Sequence, residues 1–338
     1  MTRERLPIPR PHRGAFEGID MSSEAVSTAS PKPSGRALGY LLGALGASLF
    51  ATKGIVIKLA LAEGVDAVTT LTWRMIIAVP IFALVGWLGY RDRRRRDPQF
   101  RPKAVTILKT CGVGMMGYYV ASYLDFVGLE YISAQFDRLI LLTSPFFVML
   151  IGAVWFGRRI TPVMVGAALV SYLGLILIFA RDLSLEGQDV VTGTLLVLGA
   201  ALAYAFYQSL AKPLIDEIGS RLFTSIAMSA AGFAVVVHFL VTHQGFDTLI
   251  VSPNAMWLMF AIGTVSTVLP AYMIAASIGR VGAAPAAVMG NVSPLVTIAL
   301  AVTVLGETFS VWHALGAALV LGGVIWFARS EQRAKAAG

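Results

Sequence analysis

Ten runs of apolar residues, each about 20 residues long and separated by short polar segments, follow one another between residues 37 and 328. A run of this length can cross the roughly 30 Å hydrocarbon core of a bilayer as an α-helix. The pattern therefore predicts an all-α membrane protein with ten transmembrane helices. The predicted spans, numbered 1 to 10, are Ala37–Leu59, Ala67–Tyr90, Val105–Phe126, Ser133–Phe156, Pro162–Ala180, Thr192–Ala211, Leu222–Val241, Ala255–Ser277, Ala283–Leu305 and Val311–Ala328.

Spans 4 and 9 repeat one plan. Ser144-Pro145 in span 4 corresponds to Ser293-Pro294 in span 9, and Gly157 corresponds to Gly306, at a single offset of 149 positions. Spans 1–5 therefore correspond to spans 6–10. Because five is an odd number, the second copy must lie upside down relative to the first. Such a 5+5 inverted-topology repeat is a recurring transporter architecture, in which the two halves open alternately to either side.

Polar segments set the predicted domain boundaries. Residues 1–36 are polar, contain Pro and Ser, and lack an apolar core, which predicts a disordered cytoplasmic tail and neither a signal peptide nor a span. The first repeat covers residues 37–181 and the second covers residues 190–329. Residues 330–338 form a second cytoplasmic tail. The connections between spans are mostly short, so no further soluble domain is expected.

Composition and charge narrow the class of protein. The chain is 57% hydrophobic and 14% charged, against roughly 25% charged residues in soluble domains. The net charge of +8 could suggest nucleic acid, but the loops on one side hold 21 Lys and Arg and those on the other hold one. This imbalance predicts cytoplasmic termini and no nucleic-acid partner. One cysteine excludes a disulfide within the chain, and without metal-binding motifs no cofactor or metal is expected.

Two segments resemble the terminal signature of an EamA domain. They are LEYISAQFDRLILLTSPFFVMLIGAVWFGRRIT and IGRVGAAPAAVMGNVSPLVTIALAVTVLGETFS, and the resemblance covers roughly residues 37–329. Two such domains form a transporter of the drug/metabolite transporter superfamily. The resemblance implies ten helices, a central cavity lined mainly by spans 1, 3, 4, 6, 8 and 9, and transport of small metabolites. In the family, a glycine and an acidic residue usually follow the fourth helix of the repeat. The second copy has this pair as Gly306-Glu307 after span 9, but the first copy has Gly157-Arg158 after span 4.

Five ionisable residues lie inside predicted spans: Lys53, Arg74, Asp125, Asp137 and Arg138. A charge at the bilayer centre costs about 2.5–3.5 kcal/mol, so it suggests function. Helix rise places all five at broadly similar depth. They could form a structural ion network, such as Asp137 with Arg74 or Lys53. Alternatively, Arg138 or Lys53 could hold a substrate carboxylate or phosphate in the cavity.

Asp137 and Arg138 have no counterpart in the second copy, where Ala286 and Ala287 stand. As neighbours they point about 100° apart on a helix, so one is expected to face a charged partner and the other the cavity. Asp125 and Asp137 are also the candidates for proton coupling, because a poorly solvated carboxylate binds a proton more readily.

Polar and aromatic side chains complete the predicted substrate site. Tyr118 and Ser122 share one face of span 3 at i, i+4. Tyrosine usually lies at the membrane interfaces, so tyrosines inside spans 3, 6 and 8 suit an aromatic-lined pocket, although each singly is more often a core residue. The further candidates are Tyr123, Tyr207, Tyr272 and Asn291.

The two Ser-Pro pairs lie in the middle of their spans. Proline removes a backbone donor and frees a carbonyl, which produces either a fixed kink or a hinge. Recurrence at matching positions favours the hinge. Ser144, Pro145, Ser293 and Pro294 are therefore the predicted hinge residues.

Together these features predict a secondary transporter, not an enzyme, that is embedded in the cell membrane as a multi-pass protein. Its partners are the lipid bilayer, a small-molecule substrate and, as a candidate coupling ion, the proton. Three basic residues against two acidic ones favour an amino acid or organic anion. The alternatives are export of cationic or aromatic compounds such as drugs, a channel, or an intramembrane enzyme. The sequence indicates no particular oligomeric state.

Overall fold

The protein is a bundle of membrane-spanning helices. The structure is a computed structural model. It describes residues 33–157, 160–243, 245–281, 289–290 and 292–337, without the side chains of residues 33–35, 185–186 and 334–337. Among these residues, nine helices are long and apolar enough to cross a membrane, and a tenth apolar helix, Val292–Val304, is shorter. The predicted all-α membrane fold is thereby confirmed.

Several helices are longer than the spans predicted from the sequence. They are Pro33–Ala51 and Lys53–Ala62 in span 1, Ala67–Arg96 in span 2, Ala104–Gly114, Met115–Val120 and Ala121–Tyr131 in span 3, Ala134–Leu141 and Ser144–Phe156 in span 4, Pro162–Glu186 in span 5, Asp189–Ile218 in span 6, Ser220–His243 in span 7, Pro253–Gly263, Thr264–Val268 and Leu269–Val281 in span 8, Val292–Val304 in span 9, and Val311–Ala337 in span 10.

Helix packing is symmetric between the two halves of the chain. Span 1 packs on span 8 and span 6 packs on span 3, while spans 2 and 7, 4 and 9, and 5 and 10 pack in pairs. Replacing each span by its counterpart in the other half leaves this set of pairs unchanged. That is the pattern expected of two halves related by a pseudo-two-fold axis.

A short π-helical segment interrupts spans 3 and 8 at equivalent positions. Met115–Val120 and Thr264–Val268 begin 149 positions apart, which is the offset of the two Ser-Pro pairs. Each follows a glycine at a close helix contact: a side chain at Gly114 would collide with Ala227, and one at Gly263 would lie 2.7 Å from Ile77. Hydrophobic periodicity did not predict these segments, which are often found at functional sites.

Spans 1 and 4 are broken inside the membrane, and threonines satisfy the freed backbone groups. At Thr52 the hydroxyl donates to the carbonyl of Leu49 at 2.6 Å, and the Ala51 carbonyl accepts from Thr297 of span 9 at 3.1 Å. At Thr143 the hydroxyl donates to the Ile140 carbonyl at 2.6 Å. Irregular backbone at membrane depth needs such partners because lipid supplies none.

Spans 5 and 10 make a backbone-close contact that gives a stability prediction. A side chain at Gly323 would collide with Ser171 and lie 2.6 Å from the Ala167 carbonyl, whereas Gly322 has nothing within 4 Å. Gly323→Leu should therefore lower the free energy of unfolding by about 1–3 kcal/mol, seen as a lower thermal midpoint in detergent. Gly322→Leu is the matched control and should leave the midpoint unchanged or higher. Equal losses in both variants would contradict the packing described.

Candidate functional site

A cavity of about 470 Å³ lies between the two halves. Its wall combines charged, hydroxyl and aromatic side chains inside the membrane-spanning helices. The lining residues are Phe50, Lys53, Arg74, Phe82, Gly117, Tyr118, Ala121, Ser122, Asp125, Arg138, Leu141, Leu142, Ser144, Pro145, Ala200, Tyr204, Thr224, Met228, Thr267 and Ala271. All the charged ones belong to the first half, so the chemistry of the site is asymmetric although the fold is not.

Lys53 and Asp125 form an ion pair at the cavity wall. The Lys53 Nζ donates to Asp125 Oδ2 at 2.7 Å, and the two side chains are 14% and 3% exposed. The ion network suggested by the sequence joined Asp137 to Arg74 or Lys53. The ion pair of Lys53 is with Asp125 instead, because span 1 and span 3 are packed together. The second oxygen of Asp125, Oδ1, is buried and has no hydrogen-bond partner among the described residues.

Arg74 lies near this pair, against the same Phe126 ring as Lys53, and has only neutral hydrogen-bond partners among the described residues. Its Nη1 donates to Ser122 Oγ at 2.9 Å, and its Nε donates to Thr267 Oγ1 at 3.1 Å. The guanidinium also lies 5.7 Å from the centre of the Phe126 ring. At 6% exposure, Arg74 is a buried cation without a carboxylate at salt-bridge distance in the described part of the chain.

Arg138 is a second cavity cation without a carboxylate at salt-bridge distance among the described residues, but it is half-buried where Arg74 is buried. Its Nη2 donates to the hydroxyl of Ser293 in the opposite half, while its Nε is buried without a partner among the described residues. The guanidinium lies 5.4 Å from the Phe50 ring centre. Neighbouring Asp137 is 2% exposed and does not line the cavity. Of the two arrangements the sequence allowed, the structure has Arg138 facing the cavity.

Asp137 lies in the packed interior beside the ion pair. It lies close enough to interact electrostatically with Asp125, Lys53 and Arg138. Its Oδ1 has no partner within the described residues. Two buried carboxyl groups thus lie close to one lysine, which is bonded to only one of them.

The predicted tyrosines divide into two groups. Tyr118 lines the cavity, and its hydroxyl is 2.9 Å from that of Tyr207, which lies behind it. Tyr123 packs edge-on against His238, with ring centres 4.7 Å apart, and Tyr272 stacks on Phe82 at 5.8 Å. Neither Tyr123 nor Tyr272 is part of the cavity wall. Asn291, the remaining predicted residue, lies outside the described residues.

Two of the four predicted hinge residues line the cavity, and the other two are buried in span 9. Ser144 and Pro145 line the cavity, directly after the break at residues 142–143. Pro145 lies in the first turn of its helix, so the missing N–H leaves no bond unmade. Ser293 and Pro294 are buried in the first turn of span 9, where Ser293 contacts Arg138.

Several residues of the cavity wall were not predicted from the sequence. The family resemblance implied walls from spans 1, 3, 4, 6, 8 and 9, but spans 2 and 7 contribute as well, through Phe82, Thr224 and Met228. Thr267 was missed too, although it lies at the offset of Tyr118 and could have been found by aligning the halves. Phe82 and Met228 could not be predicted, because an apolar residue in a span is equally compatible with facing lipid, the protein core or a cavity.

Glu307 of the second half caps the start of span 4. Its carboxylate accepts from the backbone N–H of Ala134 at 2.6 Å and of Gln135 at 3.3 Å. Gly306 makes this possible, since its φ of +69° turns the chain sharply after span 9. The acidic residue of the Gly-acidic pair therefore anchors the short helix that bears Asp137 and Arg138.

Removing this cap should loosen that helix. Glu307→Ala is expected to lower stability by about 1 kcal/mol and to speed hydrogen–deuterium exchange at the amides of Ala134 and Gln135. Glu63→Ala, which removes a carboxylate held by one 3.3 Å contact to Ser252, is the matched control and should leave this exchange unchanged. Unchanged exchange in Glu307→Ala would show that the cap does not hold the helix.

A charged cavity enclosed between two equivalent bundles of membrane-spanning helices defines a multi-pass membrane transporter. The comparisons with known proteins agree. The chain belongs to the EamA-like transporter family, whose profile matches residues 37–180 and 191–329. The resemblance stated from the sequence is confirmed, and so are the two EamA repeats, the integral membrane location and the prediction that this is a transporter rather than an enzyme.

Individual relatives carry the same description. The uncharacterized transporter YcbK of Bacillus subtilis (strain 168) is 30% identical over 284 residues, 83% of this chain and 89% of the relative. The uncharacterized transporter YcxC of the same organism is 25% identical over 301 residues, 85% of this chain and 91% of the relative. A solved crystal structure has the same fold, with a TM-score of 0.54 and 18% identity over 87% of this chain and 98% of that one.

Proposed function

We propose that this transporter moves a small metabolite bearing an anionic group, an amino acid or an organic anion, across the membrane by alternating access. One observation carries the proposal. Two guanidinium groups, that of the buried Arg74 and that of the half-buried Arg138, line one cavity and are hydrogen-bonded to hydroxyls only, within the described residues. Arginine binds carboxylate and phosphate through paired donors, so this arrangement is suited to an anion.

The charge balance of the cavity supports the same substrate class. Lys53 is neutralised by Asp125, and Asp137 lies beside that pair. With both carboxylates ionised, the three cations leave one positive charge in excess. A buried cation is costly without a counterion, and a bound carboxylate would supply one. Hydroxyls of Ser122 and Thr267 hold Arg74 in place meanwhile.

The symmetric packing supports alternating access. The two halves pack through the same set of helix pairs, so the arrangement that opens one side has a counterpart that opens the other. In this account Ser144, Pro145, Ser293 and Pro294 are the hinges, because they lie at equivalent positions in both halves, with Ser144 and Pro145 in the cavity wall and Ser293 bonded to Arg138 of that wall. The loop charges support an orientation with both termini in the cytoplasm.

Proton coupling is proposed for Asp125 and Asp137. Each has an oxygen without a hydrogen-bond partner in the described structure, and the two carboxyl groups lie together beside one lysine. A proton bound by this pair would add to the positive charge that faces the substrate, so proton and anion binding would favour each other.

A cationic or aromatic substrate remains the second candidate, on a specific observation. Asp125 lines the cavity with an unpartnered oxygen, and Phe50, Phe82, Tyr118 and Tyr204 supply an aromatic wall. Aromatic faces and a carboxylate together bind organic cations. The two substrate classes differ in which side chains they need: the anion needs Arg74 and Arg138, and the cation needs Asp125.

Counterflow in proteoliposomes tests the transport mechanism. Vesicles with purified protein are preloaded with one unlabelled amino acid or organic acid from a panel, and uptake of the same compound in labelled form is followed. We expect saturable uptake that is accelerated by the preload, because a carrier returns faster when loaded. A flux that neither saturates nor responds to the preload would identify a channel and contradict alternating access.

A further inference from the structure

A second cavity lies at the end of span 2, far from the charged site. It has a volume of about 430 Å³ and is lined by Trp87, Tyr90, Arg91, Arg94, Arg95 and Pro98. We call it the arginine groove. The helix that bears most of it runs without a break from Ala67 to Arg96. Trp87 therefore lies 20 residues from the helix start, about 30 Å along the axis.

That distance places the groove at the membrane interface. A bilayer's hydrocarbon core is about 30 Å thick, and Asp66 caps the helix at the opposite end. Trp87 and Tyr90 thus fall in the zone where aromatic side chains meet lipid headgroups, and the arginines lie just beyond it, at the level of lipid phosphates.

The arginines of the groove differ in their partners from their neighbours. Arg93 donates to the Glu217 carbonyl at 3.0 Å, and Asp92 pairs with Arg221 at 3.8 Å, so both contact the neighbouring ends of spans 6 and 7. None of the ion pairs among the described residues involves Arg91, Arg94 or Arg95. Arg91 lies over the Trp87 ring at 5.6 Å and Arg94 over Tyr90 at 5.9 Å, which orders both side chains.

The same helix face continues into the membrane as an apolar stripe. Ile76, Leu84 and Trp87 are 41%, 56% and 54% exposed, and Pro80 is exposed between them. These residues recur at i, i+4, i+8 and i+11 and so lie on one side of the helix. A ligand with an anionic head in the groove would have its acyl chains along this stripe.

We propose that the arginine groove is a binding site for an anionic phospholipid. The lipid phosphate would contact Arg91, Arg94 and Arg95, and the chains would pack on the stripe. A free phosphate would use the groove but not the stripe, which is why the lipid is favoured over a soluble anion. The loop charges predict that this end faces the cytoplasm, where the leaflet carries a negative surface potential. The proposal is independent of the transported substrate.

Lipid competition on the purified full-length protein tests this site. Phosphatidylglycerol and phosphatidylcholine are added in neutral detergent, and bound lipid is counted by native mass spectrometry. We expect wild type to prefer phosphatidylglycerol by about tenfold or more, since each interfacial arginine contributes about fivefold. The triple variant Arg91→Gln/Arg94→Gln/Arg95→Gln should lose this preference. The control Arg96→Gln/Arg101→Gln/Lys103→Gln, which removes the same charge from the same region, should keep it.

Each other outcome overturns the proposal. Equal loss in both triple variants would mean general charge attraction, and no loss in the groove variant would mean that the lipid binds elsewhere. Competition by millimolar inorganic phosphate or glycerol phosphate as effective as that by the lipid would identify a soluble anion instead. If the groove triple variant does not fold, Arg94→Gln alone, at an exposed position, should weaken phosphatidylglycerol binding about fivefold, and unchanged binding would refute the site.

Discussion

Arg74→Gln and Arg138→Gln are each expected to weaken binding of an anionic substrate roughly 30-fold or more. The reason is that each change removes a buried or half-buried cation whose described partners are hydroxyls and which faces the cavity. Truncating one partner of a buried charge-assisted contact typically costs about 2–5 kcal/mol, and 1.4 kcal/mol corresponds to about tenfold in affinity. The measurement is the concentration that half-saturates uptake in proteoliposomes for each member of an amino-acid and organic-acid panel.

Two controls make the arginine result specific. Arg280→Gln removes an exposed arginine whose guanidinium donates to the Ala276 carbonyl of its own helix at 2.9 Å, and it should leave half-saturation unchanged. Arg138→Lys keeps the charge but loses the paired donors, so it should retain part of the affinity. If both glutamine variants transport anions with wild-type half-saturation, the two arginines serve structure and not substrate.

Lys53→Met should produce the largest loss of stability. It leaves the carboxyl groups of Asp125 and Asp137 buried without the lysine close to both. Breaking a buried ion pair by removing one partner costs about 3–5 kcal/mol, whereas replacing both partners by apolar residues is often close to neutral. The double variant Lys53→Met/Asp125→Leu should therefore recover most of the lost stability. Thermal midpoints in detergent at neutral pH measure both changes.

An exposed lysine pair in the same protein supplies the control. Lys212 and Asp216 are 2.8 Å apart, nearly the Lys53–Asp125 distance, but their side chains are 80% and 63% exposed. Exposed pairs are worth about 0–1 kcal/mol, so Lys212→Met should scarcely change the midpoint. If Lys53→Met were as mild as Lys212→Met, the charge cluster would be far better solvated than the structure indicates. Failure of the double variant to recover would mean that Lys53 has a further structural role.

The fold was largely predictable from the sequence, because the constraints that determine it are local and strong. Apolar runs must form helices in a bilayer, and the offset between Ser144-Pro145 and Ser293-Pro294 revealed the repeat. The π-helical segments and the break at Thr52 were not predictable in the same way. They depend on neighbours in other spans, such as Ser266, whose hydroxyl is 2.8 Å from that of Thr52.

The sequence predicted which charged residues form the candidate site better than it predicted which of them contact each other. Charges inside spans are costly, so Lys53, Arg74 and Arg138 could be selected from their position alone. Their pairing could not, because Lys53 reaches Asp125 only through the packing of spans 1 and 3. Tyr123 and Tyr272 were selected because tyrosine inside a span suggested a pocket. The structure instead has them packed against His238 and Phe82, because position in a span does not show which way a side chain faces.

The most direct test of the anion-binding cavity is a matched ligand series on purified protein. An amino acid, its amide and its decarboxylated amine are compared by the rise each produces in the thermal midpoint of wild type and of Arg138→Ala. The account predicts that only the compound with a free carboxylate stabilises wild type, and that Arg138→Ala loses this stabilisation. Equal stabilisation of wild type by the decarboxylated amine, or full stabilisation of Arg138→Ala by the carboxylate, would contradict it.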